Sequence, residues 1–431
     1  MRPLVPVLVT LSLAAALGSA TVPAVAAGES CQGQPATVVG PGDPHGFLYG
    51  TGGNDVIVIA GARYVEAGGG GDLICITLGY SDVDAGDGND TVIASPDGST
   101  VELGTGSDRF VGSTGRDAVS GGIGFYRSDV ERDAIDTGPR GANEDTVWSG
   151  KVGVPNSDQV HMSWGRLSWN GSATRASDID GGAGSLLEVG TDEKLHLTID
   201  NVAATLVQRP QPVLEIPGFT RFLLSQPKGL KGFTFRGTGR NELLSTSYAK
   251  SPAGSKVDLG GGDDELSVSA WRESRSSSYR GGRGNDLVNL RMAVTDDLDL
   301  DLRRGRLSTG KGRKEVTVRS SSFESAQVKA RDIELIGTAG PNDIELHGCR
   351  ARVKALGGKD DVSTFIQGPD AGPIICRDRR MSFDGGPGKD ALVGSDGPDR
   401  LIGGPGRDSA DGREGRDTCQ AEERVSCEVR G

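Results

Sequence analysis

The feature that most constrains the fold is a nine-residue repeat rich in glycine and aspartate. Four consecutive copies cover residues 385–420, and the first reads Gly385-Gly386-Pro387-Gly388-Lys389-Asp390-Ala391-Leu392-Val393. Residues 50–120 form a second block, whose glycine-rich turns end at aspartates spaced by 17, 18, 18 and 9 residues. A fixed period over this many copies predicts a repeat architecture rather than a flexible linker.

The order of residue types within each copy predicts a β-solenoid. Glycine permits the positive φ of a tight reversal. An apolar residue follows each aspartate two positions later, as Leu392 follows Asp390, and a short strand would turn it inward. Two copies then make one eighteen-residue coil, and coils stack as parallel strands roughly 4.8 Å apart. With 68 glycines and 5% aromatics in 431 residues, the chain can fill a thin core repeated many times.

This stacking has an electrostatic consequence. Aspartates eighteen residues apart would form a row, one per coil, and neighbouring carboxylates would repel by about 1 kcal/mol in water and about 3–4 kcal/mol at an effective dielectric near 20. The tight turns are also expected to point carbonyl oxygens inward, where they find few donors. A divalent cation between coils relieves both costs. Calcium suits the position because it accepts several oxygen ligands in loose geometry, whereas magnesium requires a strict octahedron. The repeats offer no nitrogen or sulfur ligand for a transition metal.

The motif resembles the RTX, or hemolysin-type, calcium-binding repeat Gly-Gly-x-Gly-x-Asp-x-U-x, in which U is a large apolar residue. The resemblance implies an all-β, right-handed parallel β-roll or β-solenoid, here with irregular coils in the middle, and Ca²⁺ held between adjacent coils by aspartate carboxylates and turn carbonyls. The aspartates that it assigns to calcium are Asp55, Asp72, Asp90, Asp108, Asp117, Asp264, Asp286, Asp390, Asp399, Asp408 and Asp417. The glycines whose carbonyls it assigns are Gly86, Gly88, Gly104, Gly106, Gly386, Gly388, Gly404 and Gly406.

The middle of the chain carries weaker copies. Residues 259–264 and 281–286 are clear, residues 356–361 lack one glycine, and residues 337–343 have one residue extra. Glu242 stands where an aspartate is expected. Whether these copies bind metal or only continue the solenoid stays open. The segments 121–177 and 205–232 fit the period worst and are predicted to be loops or irregular coils.

These patterns predict six segments, of which two are related by an internal duplication of about a hundred residues. They are a signal peptide at 1–26, an N-terminal repeat block at 31–120, an irregular segment at 121–177, two paralogous solenoid modules at 178–278 and 279–382, and a C-terminal repeat block with a disulfide cap at 383–431.

The N-terminus and the cysteines indicate export. Arg2 precedes an apolar run, and Ala24-Val25-Ala26 offers a small-x-small cleavage site. The run is too short to span a bilayer, so we expect a secreted, extracellular protein without a membrane span. Six cysteines allow fifteen pairings. Neighbourhood in the sequence favours Cys31–Cys75, Cys349–Cys376 and Cys419–Cys427.

The net charge of −12 favours cations as partners and disfavours nucleic acid and anionic membranes. Neither H-E-x-x-H nor G-x-S-x-G occurs, so we expect a non-catalytic calcium-binding protein with a structural or adhesive role. Two alternatives stay open. One is a polysaccharide-lyase-like enzyme that uses the cluster of Asp296, Asp297, Asp299, Asp301, Arg303 and Arg304. The other is a calcium-stabilised cell-surface module that binds a glycan through residues 121–177. The tryptophans Trp148, Trp164, Trp169 and Trp271 are predicted to be apolar plugs rather than a glycan-stacking surface.

Overall fold

The elements in the described part of this protein are all β-strands, as the prediction of an all-β fold requires. The computed structural model describes residues 29–43, 45–122, 130–190, 195–209, 211–225, 230–248, 254–270, 274–291, 297–310, 312, 315–364 and 376–430. The predicted signal peptide, Trp271 and Asp296 lie outside the described residues.

One side of the molecule is a long parallel sheet of 18 strands, here called sheet 1, whose spatial order follows the chain. Its strands are Phe47–Thr51, Tyr64–Gly68, Ser81–Asp84, Ser99–Glu102, Asp117–Ser120, Asp145–Ser149, Gly165–Asn170, Ser185–Gly190, Phe219–Ser225, Leu243–Tyr248, Glu265–Ala270, Leu287–Arg291, Ser325–Lys329, Asp343–His347, Asp361–Thr364, Ala391–Val393, Ser409–Asp411 and Glu423–Val425.

The remaining long sheets are formed by the strands that alternate with those of sheet 1 along the chain. Sheet 2 is fully parallel and contains Val38–Gly40, Val56–Ala60, Leu73–Leu78, Thr91–Ile93, Arg109–Val111, Ala134–Asp136, Gln159–His161 and Asp178–Asp180. Sheet 3 contains, in spatial order, Val213–Glu215, Thr205–Arg209, His196–Asp200, Gly232–Arg236, Ser255–Gly261, Ser278–Arg283, Val316–Ser321, Arg306–Thr309, Asp297–Asp301, Asp332–Ile336, Arg350–Lys354, Arg380–Asp384, Arg400–Ile402, Thr418–Gln420 and Val429–Arg430. Two short pairs, Ser30–Cys31 with Gln34–Pro35 and Pro155–Asn156 with Ser172–Ala173, complete the list.

The strand registers confirm the eighteen-residue coil in both repeat blocks. Ser99 pairs with Asp117 in the N-terminal block, and Ala391 pairs with Ser409 in the C-terminal block. Each step along the stack therefore advances the chain by two nonapeptides. The chain forms a parallel β-solenoid, the architecture that the sequence predicted.

The segments 121–177 and 205–232, predicted to be loops or irregular coils, contain strands and are therefore not loops throughout. Strands Ala134–Asp136, Asp145–Ser149, Gln159–His161 and Gly165–Asn170 continue sheets 1 and 2 in parallel register. What is irregular is the coil length, because Arg109 pairs with Ala134 and Ala118 with Thr146. The glycine-rich turns are missing there, so a search for the period finds nothing although the coils persist.

Sheet 3 departs from pure parallel pairing at two antiparallel excursions. Strands His196–Asp200 and Thr205–Arg209 pair antiparallel, as do Asp297–Asp301 and Arg306–Thr309. His196–Asp200 and Asp297–Asp301 are also the strands that correspond in the predicted duplication.

The core is narrow and continuous. Inward residues of opposing sheets, such as Val92 from sheet 2 and Val101 from sheet 1, belong to a single buried cluster that extends from Val38 to Cys419. Trp169 is fully buried in it, which agrees with the prediction of an apolar plug.

The three disulfides are those that neighbourhood in the sequence favoured: Cys31–Cys75, Cys349–Cys376 and Cys419–Cys427. The first ties the short N-terminal hairpin to sheet 2, and the last closes the final coils. Both ends of the solenoid are therefore covalently fastened.

Candidate metal site

The repeat aspartates are buried at the turns, where they form what we call carboxylate ladders. In a ladder, each carboxylate accepts a hydrogen bond from the backbone N–H of the corresponding residue one coil earlier. Asp72 Oδ1, for example, accepts from the Asp55 N–H at 2.7 Å, and Asp90 Oδ1 accepts from the Asp72 N–H at 2.7 Å. The predicted rows of carboxylates thus exist, with one side chain per coil.

Four such ladders contain all eleven predicted aspartates. The first runs Asp55, Asp72, Asp90, Asp108, Asp133, Asp158. The second links Asp117 to Asp145. The third has one stretch of Glu242, Asp264, Asp286 and Glu324 and a second of Asn342, Asp360, Asp390, Asp408 and Glu422. The fourth runs Asp399, Asp417, Glu428.

Several ladder members were missed from the sequence. Asp133, Asp145 and Asp158 continue the ladders through the segment that lacks glycine-rich turns. A detectable signal exists, because each is followed two positions later by a buried apolar residue. Glu422 and Glu428 accept from the last repeat aspartates at 2.8 and 2.7 Å and so end the C-terminal ladders. Their side chains are longer than that of aspartate, so they reach these N–H groups although the backbone no longer follows the nine-residue repeat.

The prediction of an extra residue in the repeat at 337–343 was wrong. It has no extra residue, because Asn342 rather than Asp343 takes the ladder position. Asn342 donates its N–H to Asp360 Oδ1 at 2.9 Å and accepts the Thr338 N–H on its own Oδ1 at 2.8 Å. Its amide group also donates to the Glu324 carbonyl oxygen of the preceding coil at 2.6 Å. An amide is therefore tolerated where the repeat normally carries a carboxylate.

The second oxygen of many ladder carboxylates has no donor. Oδ2 is buried without a hydrogen-bond partner in Asp72, Asp90, Asp264, Asp286, Asp360, Asp390, Asp408 and Asp417. An unsatisfied buried carboxylate oxygen is costly in free energy. These atoms are the strongest structural sign that the ladders accept a further positively charged or hydrogen-bond-donating group.

At two ladder positions, the residue four places before the ladder side chain satisfies this oxygen. Thr51 donates its N–H and its hydroxyl to Asp55 Oδ2 at 2.7 and 2.8 Å. The Ser395 hydroxyl donates to both carboxylate oxygens of Asp399, at 3.1 and 3.0 Å. In Asp72, Asp90, Asp264, Asp286, Asp390 and Asp408 that position is a glycine, which has no hydroxyl to offer.

The electrostatics follow the burial. Removal from water raises the pKa of Asp90 and of Asp264 to about 7. The same cause raises the pKa of Asp117, Asp286 and Asp360 to about 6. The pKa values of Asp72, Asp390 and Asp417 are also raised by burial. Ionising these ladders without a counter-charge therefore costs free energy.

The predicted glycines show why the turns need them. At all eight positions a Cβ atom would lie within 2.3 Å of a carbonyl oxygen in the preceding turn. Gly404, for instance, has φ +108° and faces the Gly386 carbonyl oxygen. The turns also bond to one another, since the Gly388 N–H donates to the Pro405 carbonyl at 2.9 Å. The expectation that turn carbonyls find few donors was therefore wrong in part.

The oxygen atoms at the turns fit a hard cation that is coordinated by both side-chain carboxylates and backbone carbonyls. Within the described part of the chain, no three His, Cys, Asp or Glu side chains converge on one point to hold a metal. A site here has to combine one or two ladder carboxylates with carbonyl oxygens of stacked turns. Oxygen-only, loosely arranged ligands are what calcium accepts.

Comparison with known proteins agrees with this geometry. The family model of the RTX calcium-binding nonapeptide repeat matches residues 102–125 and 384–419, in four copies. The matched residues include Asp108, Asp117 and the four aspartates of the C-terminal block. No curated protein matches the chain.

Proposed function

Because the chain carries RTX calcium-binding nonapeptide repeats, we propose that it is a secreted, non-catalytic protein whose solenoid takes up calcium between coils and serves a structural or adhesive role. The observation that supports this best is the set of buried Oδ2 atoms without a donor. A calcium ion beside each would supply the missing counter-charge.

We place calcium preferentially at ladder steps where a glycine stands four residues before the aspartate. All eleven predicted aspartates remain candidate ligands, together with the carbonyls of the eight predicted glycines. At Asp55 and Asp399, however, a hydroxyl group already donates a hydrogen bond to the carboxylate, so the free energy gained by binding a cation is smaller there. In the repeat blocks, Asp72, Asp90, Asp390 and Asp408 are therefore the leading candidates.

Export is supported by the N-terminal pattern and by three disulfides, which persist in oxidising compartments. Within the residues described, no helix is long and apolar enough to cross a membrane. The proposal of a non-catalytic role follows from the absence of the catalytic motifs in the sequence.

Native mass spectrometry of the full chain, titrated with calcium and then with chelator, tests the proposal. We expect several ions to bind, with Kd values of roughly 10⁻⁴–10⁻³ M as in extracellular modules, and magnesium at the same concentration to replace few of them. Circular dichroism should show a stronger strand signal with calcium. A chain that carries no specific calcium ion and keeps the same spectrum would refute calcium binding. Release of unsaturated products from uronate polymers would refute only the non-catalytic part.

A further inference from the structure

The outer face of sheet 3 in the second module has an unusual charge distribution. Strands Asp297–Asp301 and Asp332–Ile336 present carboxylates outward. The next strand presents Arg350, Arg352 and Lys354, and the one after it presents Arg380 beside Ser382 and Asp384. Asp299 is the register partner of Glu334 on the neighbouring strand, and Arg350 is the register partner of Arg380. Like charges are therefore direct neighbours on adjacent strands, which lowers stability.

The first module shows the arrangement that stability favours. Along one row of sheet 3, Asp200, Arg236, Asp258 and Arg280 are successive register partners. Acid and base alternate, and the chain forms ion pairs between Arg236 and Asp200 and between Arg280 and Asp258, each at 3.6 Å. The two rows of the second module that contain Asp299 with Glu334 and Arg350 with Arg380 lack this alternation.

The like-charged rows border two hollows that open on this face. Asp299, Glu334 and Arg352 border both, Arg304 and Arg306 line one, and Arg350 and Arg380 line the other. The pKa of Asp299 is raised by burial and by the nearby Glu334. Although Arg350 pairs with Asp332 at 3.0 Å and Arg352 with Glu334 at 3.8 Å, two-thirds of both arginine side chains remains exposed.

We propose that this face binds an acidic polysaccharide, a polymer of uronic acid sugars. Each such sugar offers hydroxyl groups that can donate to Asp299 and Glu334, and a carboxylate that can accept from Arg350, Arg352 and Arg380. A polymer lying along the solenoid axis meets one coil every roughly 4.8 Å, a spacing comparable with one sugar residue. The sugar carboxylates thereby offset the positive charge of the arginines, and the hydroxyl groups supply hydrogen-bond donors to Asp299 and Glu334.

Other macromolecules fit this face less well. A nucleic acid has few hydroxyl groups that could donate to the carboxylates of the two acidic strands, whereas every sugar of a polyuronate has several. A protein partner needs apolar or aromatic anchors, but the large exposed apolar side chains of the described chain lie elsewhere: Tyr49, Leu78, Tyr80, Val130, Val152, Val202, Val213 and Val425. This face is also separate from the carboxylate ladders, so its function does not depend on that of the calcium sites.

Isothermal titration calorimetry of the full chain in saturating calcium tests the proposal, with a defined oligogalacturonate as the probe and maltohexaose as the neutral reference. We expect saturable binding of the oligogalacturonate and at least tenfold weaker binding of the neutral sugar. Arg352→Gln should weaken oligogalacturonate binding at least tenfold, and Arg380→Gln should also weaken it. The matched control Arg236→Gln, on the equivalent face of the first module, should change affinity less than twofold.

Circular dichroism and the count of bound calcium ions establish that each variant is folded. Should Arg352→Gln fail to fold, Arg380→Gln carries the same test on a different strand. The proposal is overturned if the oligogalacturonate does not bind, if maltohexaose binds equally well, or if the control loses as much affinity as the Arg352 and Arg380 variants. Failure of sugar binding with an unchanged ion count would leave the calcium proposal standing.

Discussion

Replacing Asp408 by asparagine separates the two roles of a ladder carboxylate. Asp408 Oδ1 accepts the Asp390 N–H at 2.9 Å, and the amide oxygen of asparagine can keep this bond. Asp408 Oδ2 is buried without a donor, and it is the atom that we assign to calcium. Asn342 shows that an amide fits the ladder. We therefore expect Asp408→Asn to fold normally in chelator, with unchanged or slightly higher stability, because it removes a buried charge.

The expected loss appears only when calcium is present. At about 10 mM calcium, roughly 100 times a Kd of about 10⁻⁴ M, one site stabilises the folded state by about 2.7 kcal/mol. Asp408→Asn should remove about this much of the calcium-dependent free energy of unfolding. Because a ladder carboxylate lies between two coils, a shared ligand could raise the loss towards two sites.

Two matched variants define the comparison. Asp343→Asn changes an exposed carboxylate beside the ladder and should leave calcium-dependent stability unchanged. Asp399→Asn changes a carboxylate that Ser395 already satisfies and should lose less than Asp408→Asn. Denaturant unfolding followed by circular dichroism, with calcium and with chelator, measures all three. If Asp408→Asn keeps the full calcium-dependent increment, or if Asp343→Asn loses as much, the assignment of Asp408 Oδ2 is refuted.

Two further predictions concern the metal-free chain and the turns. Folding raises the pKa of Asp264 from 3.8 to about 7, so the folded state binds this proton more tightly, and stability in chelator should fall as the pH rises between these values. A melting temperature in chelator that is higher at about pH 7.5 than at about pH 5 would contradict this sign. Gly404→Ala should destabilise the protein by at least about 1–3 kcal/mol, because φ is +108° and the Cβ atom would lie 2.3 Å from the Gly386 carbonyl oxygen. Gly239→Ala, where a Cβ meets nothing within 4 Å, is the control, and equal losses in the two denaturation curves would argue against the steric reason.

The coil and its ladders could be predicted where the chain repeats exactly. Spacing alone predicted the eighteen-residue step, the inward apolar position and the rows of carboxylates among Asp390 to Asp417, since each follows from the two-residue periodicity of a strand and the tight turn of glycine. The continuation through 121–177 could not be predicted in this way. Those coils vary in length by several residues. The fold tolerates this because the extra residues lengthen the turns between strands, while the paired strands keep their register.

The hydrogen bonding of the carboxylates could also not be predicted from the sequence pattern. Pairwise repulsion suggested that the carboxylates need a divalent cation between neighbouring coils. In the fold, Oδ1 instead accepts a hydrogen bond from a backbone N–H of the neighbouring coil. One of the two oxygens of a ladder aspartate therefore has a donor before any ion binds. The registers that bring Asp299 next to Glu334 were likewise hidden, because they join strands separated by an antiparallel excursion of variable length.

The ladders indicate which coils depend most on calcium. Where Thr51, Thr338 or Ser395 stands four residues before the ladder side chain, the protein supplies its own donor. Where glycine stands there, the second oxygen has none. Coils with such a glycine are therefore the least stable without an ion, because each buries a carboxylate whose charge is opposed by its surroundings. Glycine stands there before Asp264 and Asp286 of the middle modules as well as before Asp390 and Asp408 of the C-terminal block, so calcium is expected to stabilise coils in the middle of the solenoid as well as at its ends.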